Sequence, residues 1–391
     1  MDNTLSISIV GGGIGGLAVA TALAQSGMQV CVFEQAAQIA EVGAGLQVSP
    51  NGLRVLRALG LEEKLSKCSS QGQAVSLRRA ESDYEVARLD LNKLPSDQRY
   101  HFVHRADLIS ILHNASHEAG VTIKLDRSVT SIEPGRPAKL NFLDGTSAQS
   151  DLVIDAGGLH SVLRSTLNTA AEPFFTGQVA WRALVPNVDN RQHDVQVHMA
   201  DGRHIVSYPL RGGELVNLVA VQERAEWREE GWSQPDDPDN LRAVFKDASS
   251  SVQSMLSRVE EVNLWGLFRH PVADNWHEAG CALLGDAAHP TLPFLAQGAN
   301  MALEDAWALC ICLKREPDLN AALSTYETLR QPRVRKVIEA ANNNAWRYHL
   351  PRGPIRLAAH IGLGLGSRIA PGLMLKQFEW LYGYDITTAF D

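Results

Sequence analysis

The strongest chemical signal lies in the first 35 residues of this chain. Gly11-x-Gly13-x-x-Gly16 follows an apolar run, Ser6 to Val10, and opens a small-residue helix, LAVATALAQSG, that Gly27 stops. The first glycine permits a tight turn, the second admits a pyrophosphate against bare backbone, and the third lets helix and strand pack closely. The helix start, with Ile14 and Gly15, offers free N–H groups and a positive dipole end to phosphate. Glu34, followed by Gln35, ends the next apolar run, Met28 to Phe33, where a carboxylate can bind ribose hydroxyls.

A second cluster is GDAAHPTLPFLAQGANMALEDA, residues 285–306. Asp286 stands at the tip of a buried strand, CALLG, and such carboxyl ends are where α/β sheets bind ligands. Its carboxylate can accept from sugar-alcohol hydroxyls, and a helix start at Gly298-Ala299-Asn300 can hold an anionic ring edge. In DGRHIVSYPL a strand period of two puts His204, Val206 and Tyr208 on one face. His204 and Tyr208 would then stand roughly 13 Å apart. By themselves, such residues are more often ordinary packing.

Other constellations carry less. His113 and His117 are four apart on a helix, but no HExxH glutamate or third ligand accompanies them, so no metal site is expected. Cys310 and Cys312 point different ways on a helix. GLGLGS at 362–367 follows no clear strand and reads as packing or a flexible turn, which leaves one dinucleotide site. The absence of GxSxG argues against an α/β-hydrolase.

The elements expected to position these groups alternate strand and helix at the start. A helix opens at Ser49-Pro50 with Ser49 as its cap, and another spans Arg105 to Glu118. Strands are expected at Val121–Leu125 and Asp151–Ile154. From about Gly177 to Val221, short β-like runs suggest an antiparallel sheet. A polar loop, WREEGWSQPDDPDN, precedes a helix over Leu241 to Leu256, and helices run from Met301 to about Tyr348. The fold class is α/β: a Rossmann-like domain with an inserted antiparallel β-sheet domain and C-terminal helices.

Composition agrees. With 391 residues, 45% hydrophobic and 20% charged, the chain is no disordered or collagenous polymer and has length for two or three units. A charge of −8 and no basic run argue against nucleic acid as the main partner. Five scattered cysteines without CxxC suggest buried or free thiols in a reducing compartment. The N-terminus lacks a signal pattern, and Ile355 to Leu375, holding Arg356, His360 and Arg368, is a poor membrane span. A cytoplasmic, soluble protein is expected, with no membrane partner.

GGGIGG…FEQ, EVGAGLQVSPNGLRVLRALGL, HRADL, DLVIDAGG, GDAAHPTLPFLAQGAN and LYGYD run in that order from residue 7 to 385. Together they resemble the single-component (class A) FAD-dependent aromatic hydroxylases, nearest the salicylate hydroxylase, 3-hydroxybenzoate 6-hydroxylase and 6-hydroxynicotinate 3-monooxygenase branch. The resemblance implies FAD as cofactor, NADH or NADPH as co-substrate, and hydroxylation of a small phenolic or hydroxylated N-heteroaromatic ring by O2 through a flavin hydroperoxide. Decarboxylation can accompany it. Gly11, Gly13, Gly16 and Glu34 would hold the ADP part, with Val129 meeting adenine through its backbone. Arg105 and Asp286 would meet the phosphate–ribityl region, while Gly45 and Leu46 line the flavin. Gly298, Ala299 and Asn300 would face the pyrimidine edge, and Pro293 would lie beside the flavin carbon that carries the peroxide.

His204 would be a base titrating near neutrality and Tyr208 a substrate-orienting hydroxyl, with Gln47 and Arg182 as further pocket candidates. Arg182 can pair a substrate carboxylate or form a salt bridge. One departure stands out: where the family usually reads GADG, this chain has Asp155-Ala156-Gly157-Gly158, which puts reductant binding in question. An epoxidase, a flavin dehydrogenase and a non-catalytic FAD-binding protein remain the alternatives. The expected division is 1–73, 100–178 and 271–345 for FAD, 74–99 and 179–270 for substrate, and 346–391 as a helical segment, in a monomer or homodimer.

Overall fold

The apolar runs flanking the glycine loop form parallel neighbours, Ser6–Val10 and Gln29–Phe33. The computed structural model describes residues 5–39, 44–169, 172–191, 193–227, 234–344 and 348–390. Ile7, Ser8 and Ile9 are all buried, so both faces of this sheet are covered, which is why the run does not alternate. The full order is His277–Glu278, Cys281–Leu283, Leu152–Asp155, Ser6–Val10, Gln29–Phe33, Thr122–Lys124. Every pairing is parallel except the edge hairpin at His277–Glu278. Parallel strands bring their carboxyl ends to one rim. The glycine loop, Glu34, Ala156 and Gly285 therefore converge there.

The helix Ile14–Gln25 is built from small residues and packs tightly beneath that rim. A Cβ on Gly15 would lie 2.6 Å from Leu284 Cδ2. The helix Gly298–Arg315 crosses it, with the Cys310 thiol on the Ala22 carbonyl at 3.4 Å. All five cysteines are free, and three of them are buried.

The inserted sheet has eight strands in the order Gln234–Asp236, Val262–Arg269, Phe174–Pro186, Leu215–Glu223, Arg203–Leu210, Asp194–Ala200, Ala74–Arg79, Glu85–Asp90. Its pairings are antiparallel except that of Asp194–Ala200 with Ala74–Arg79, where an earlier hairpin joins the insertion. One face buries Val179, Trp181, Ala183 and Val185 with Leu241, Phe245, Val252 and Met255. The other face carries Ala180, Val221, Trp265 and Leu267 against Leu292 and Phe294 of the loop 288–297, the cleft loop, whose residues 290–293 line a cavity with Trp265 and Leu267.

Several expectations change. The helix expected over 241–256 is two, Pro238–Val244 and Ser250–Leu256, because Asp237 and Ser249 each cap a separate start. GLGLGS is no turn but lies inside the helix Pro354–Ile369, where a Cβ on Gly364 would sit 3.0 Å from the Val86 carbonyl. Its glycine serves helix-on-strand packing. Ser49 precedes the helix Pro50–Ala58 as expected, yet its hydroxyl donates to Asn51 Oδ1 (2.7 Å) instead of capping a backbone N–H. The late helix runs Leu319–Asn344, and residues 345–347 and 228–233 of the expected helix and loop lie outside the described residues. Among the described residues no helix is long and apolar enough to cross a membrane.

Candidate active site

Backbone geometry dictates the glycines at the rim. Gly11 has φ +97°, and a Cβ there would meet the Ala156 carbonyl at 2.7 Å. A Cβ on Gly16 would lie 2.0 Å from the Gly11 carbonyl oxygen. Gly13 is different: a Cβ there meets no atom within 4 Å. The protein itself requires Gly11 and Gly16, whereas Gly13 faces open space into which a phosphate can come. Glu34 is held at the rim by its own loop, accepting from Gly12 N (2.6 Å) and Ala36 N (2.9 Å). Arg127 N donates to the Glu34 carbonyl (2.8 Å), which brings the strand Val129–Glu133 alongside. Ile14 is buried in the core, while Gln35 is exposed.

Asp286 occupies the turn Gly285–Ala287 just beyond Leu283. Its side chain is exposed, yet desolvation raises its carboxyl above the usual value, with His289, Arg105 and His270 acting in the opposite sense. The carboxyl is thus reachable from solvent while protein surrounds it. Arg105 begins the helix Arg105–Glu118 and donates its backbone N–H to Ala44 (2.8 Å). Open space at Gly13, Glu34 at the rim and the accessible Asp286 carboxyl beyond the strand Cys281–Leu283 fit a dinucleotide cofactor such as FAD.

A buried ionic cluster fixes that turn. Asp305 Oδ2 meets His289 Nε2 (2.5 Å) and accepts from Gly285 N (3.1 Å), while Arg330 Nε donates to Oδ1 (2.7 Å). Arg330 also pairs with Glu304 at 2.6 Å, and all four side chains are fully buried. Burial works to raise the Asp305 pKa, but His289 and Arg330 hold it below the usual carboxylate value. Sequence reasoning assigned none of this, although Glu304 and Asp305 stood within the 285–306 block.

Asp155 does not stand in for an aspartate at 157. Its carboxylate accepts from Gly157 N (2.8 Å), Ser161 Oγ (2.8 Å) and Leu163 N (3.0 Å), which occupies it in capping the helix Val162–Leu167. A Cβ on Gly157 would lie 2.8 Å from Asp155 Oδ1, so this chain's glycine and aspartate accommodate each other.

On the sheet side, His204, Val206 and Tyr208 pair with Val221, Val219 and Asn217, and Arg182 pairs with Val219 from the next strand. They share one face, as the period of two requires. Tyr208 is buried and bonds Gln47, whose Oε1 accepts from Tyr100 (2.8 Å). Gly45 closes this corner: its N–H donates to Asn217 Oδ1 (2.8 Å), and a Cβ would lie 2.7 Å from Tyr208 Cε2. Gly45 thus packs under Tyr208, and Leu46, next in the strand Gly45–Val48, is half-buried. The Arg182 guanidinium stacks on Trp265 at 4.9 Å, and its charge opposes the rise that burial imposes on the Tyr208 pKa.

His204 departs from expectation. It is 2% exposed, and burial, followed by the charge of His349, pushes its pKa well below the ordinary value. It is a neutral imidazole at pH 7, not a group titrating near neutrality. Its ring lies 5.2 Å from Tyr348 and 6.3 Å from Phe294, the residue after Pro293. Pro293 starts a turn that Ala296 closes in the left-handed region, φ 52°. Gly298 and Ala299 open the following helix, whose first N–H groups have no helical acceptor. The Asn300 side chain turns inward, donating to the carbonyls of Gln47 (3.0 Å) and Ala296 (2.9 Å) and accepting from Ser49 N (3.0 Å). It ties the strand Gly45–Val48 to the helix. Tyr100, Asn217, His349 and Glu223 escaped sequence reading because their partners are distant in the chain. Among the described residues no cluster of three metal-ligating side chains occurs.

Comparison with known proteins agrees with this geometry. A family model described as an FAD binding domain matches residues 4–341. A 3-amino-4-hydroxybenzoate 2-monooxygenase of Streptomyces cremeus is 37% identical over 363 residues, 90% of each chain. A 3-hydroxybenzoate 6-hydroxylase of Aquipseudomonas alcaligenes is 30% identical over 390 residues, 97% of each chain. The solved structure of Klebsiella pneumoniae HpxO with FAD and uric acid superposes with a TM-score of 0.84 at 26% identity, covering 96% of this chain and 97% of that one. The chain belongs to the FAD binding domain family, among the FAD-dependent aromatic hydroxylases.

Proposed function

We propose that this chain hydroxylates a small phenol or hydroxylated N-heteroaromatic compound, using FAD, O2 and NADH or NADPH, with His204 receiving the proton of the ring hydroxyl. The observation that carries this reading is the position of His204, beside Phe294 of the cleft loop and on the sheet face that holds Tyr208 and Arg182. A neutral buried imidazole has a lone pair ready to accept a proton, and ionising the hydroxyl enriches the ring for electrophilic oxygen transfer. Tyr208, held by Gln47, orients the substrate, and Arg182 suits a ring carboxylate. Gly11, Gly13, Gly16 and Glu34 would hold the ADP part of FAD, with Val129 beside adenine. Arg105 and Asp286 would hold the phosphate–ribityl part. The N–H groups of Gly298 and Ala299 would face the pyrimidine edge, with Leu46 and Pro293 beside the ring. The chemistry FAD supplies when bound is the passage of reducing equivalents from the nicotinamide to O2.

Residues 74–99 and 179–270 serve as the substrate part, around an FAD part of 1–73, 100–178 and 271–345 and a C-terminal segment of 346–391. The five free thiols support a cytoplasmic setting. The test is NADH and NADPH oxidation by the FAD-loaded protein with 3-amino-4-hydroxybenzoate, 3-hydroxybenzoate, salicylate and 6-hydroxynicotinate, with 18O2 traced into product. Stimulated oxidation with label in the ring supports the reading. Failure of every compound to stimulate oxidation, or product without label, overturns it.

A further inference from the structure

The Nδ1 of His204 lies 2.6 Å from His349 Nε2, and His349 Nδ1 lies 2.8 Å from Glu223 Oε1. These contacts join residues 145 and 126 positions apart. The chain they form leads outward: His204 is 2% exposed, the His349 side chain 2%, and the Glu223 side chain 53%. We propose that His349 and Glu223 are a proton relay that carries the substrate's hydroxyl proton from His204 to solvent.

This rests on the reading of His204 as the acceptor. A deeply buried base that kept its proton would leave an uncompensated charge in an apolar setting beside Phe294 and Tyr348. A second imidazole ending on a carboxylate removes that charge. The substrate hydroxyl proton bonds to His204 Nε2 while the Nδ1 proton passes to His349 Nε2. The His349 Nδ1 proton then passes to Glu223 Oε1, from which water takes it. Each ring loses one N–H bond and gains another, so neither imidazole stays charged. Return of one proton to the product resets both tautomers.

The surroundings suit transfer along this line. Glu223 is the carboxylate facing His349, and Gln178 Nε2 approaches the same Nδ1 at 3.4 Å. Tyr348 faces the His204 ring from the C-terminal segment and Phe294 from the cleft loop. Arg203, the preceding residue of the strand, is directed to Asp247, away from the relay. Desolvation lowers the pKa of both imidazoles, which favours the neutral ring with a single N–H in each before substrate binds. His349 and Glu223 act through His204 and are positioning and transfer residues, not groups that touch substrate.

The test uses the FAD-loaded protein, its best phenol from the four-compound panel, and the variants Glu223→Gln, His349→Ala and His204→Ala. Glu223→Gln, at an exposed side chain, keeps FAD binding and KM within about twofold but lowers kcat about tenfold, with an altered kcat pH profile and solvent isotope effect. Added imidazole restores a large part of the turnover of His349→Ala. Wild-type pH profiles and isotope effects in Glu223→Gln, or no rescue of a folded His349→Ala, overturn the relay. If His204→Ala alone loses coupled hydroxylation, the acceptor reading survives without the relay. If all three variants turn over like wild type, the acceptor reading itself is lost.

Discussion

Replacing Asp305 by Asn tests how the protein holds the turn Gly285–Ala287, which carries Asp286. The substitution preserves shape but removes one negative charge from a cluster in which Asp305, Glu304, Arg330 and His289 are all fully buried. Breaking a buried ion pair typically costs about 3–5 kcal/mol, because the partner's charge stays in a dry site. Here Arg330 retains Glu304 at 2.6 Å, and the amide oxygen can still accept one of the hydrogen bonds now made by Arg330 and Gly285. That places the expected loss near the low end, about 3 kcal/mol. A chain of 391 residues has an unfolding entropy of about 0.8 kcal/mol/K, so Tm should fall by about 4 °C. With the amide oxygen kept on Arg330, the amide NH2 faces Gly285 N, which the carboxylate anchors at 3.1 Å, and FAD affinity should drop with stability.

The sign with pH follows from the depressed carboxyl of Asp305. Its contribution is fully present above the ordinary carboxylate pKa of about 4 and is lost only as pH falls through its lower folded value. The Tm gap between wild type and variant should therefore stay constant from pH 8 to about 5. Differential scanning fluorimetry and FAD titration measure both effects. Asp274→Asn is the control, since that side chain is 86% exposed and pairs with the exposed Arg335, and it should leave Tm within about 1 °C. A Tm and FAD affinity for Asp305→Asn equal to wild type would refute the reasoning.

The glycine loop offers a sharper contrast. Gly16→Ala forces a Cβ to 2.0 Å from the Gly11 carbonyl oxygen and should destabilise the apoprotein, whereas Gly13→Ala meets nothing and should keep the apoprotein Tm while weakening FAD binding at least about tenfold. Equal loss of apoprotein stability in both would contradict the assignment. Gly45→Ala drives Tyr208 and Asn217 aside and should raise KM for the phenol by about an order of magnitude with FAD binding intact, read by steady-state kinetics and flavin fluorescence. Burial lowers the His101 pKa to about 4, so the unfolded chain takes up its proton first and stability falls as pH drops from about 6.5 to 4. His101→Gln should show a shallower decline of Tm over that window, and parallel curves would count against it.

The face shared by His204, Val206 and Tyr208 was legible because a strand period is local. The basicity of His204 was not, since Phe294, Tyr348 and His349 set it from positions remote in the chain. The same holds for GLGLGS, whose fate as a helix depends on the strand that carries Val86. Asp155 shows a milder case: its partners are within eight residues, but only the folded turn reveals that its carboxylate is already engaged.

What the sequence by itself determined is the glycine loop and the rim around it. Gly11, Glu34 and Asp286 follow short apolar strands and Gly16 lies in the first helix, and backbone sterics and strand polarity act over a few residues at a time. What only the tertiary structure decided is the setting of the buried polar groups on the inserted sheet. Burial and hydrogen-bond partnership arise when an inserted sheet, a cleft loop and a C-terminal segment close on one another, and that closure joins His204 to His349 and Glu223. No local pattern encodes such a chain of contacts, because each link depends on desolvation by residues more than a hundred positions away.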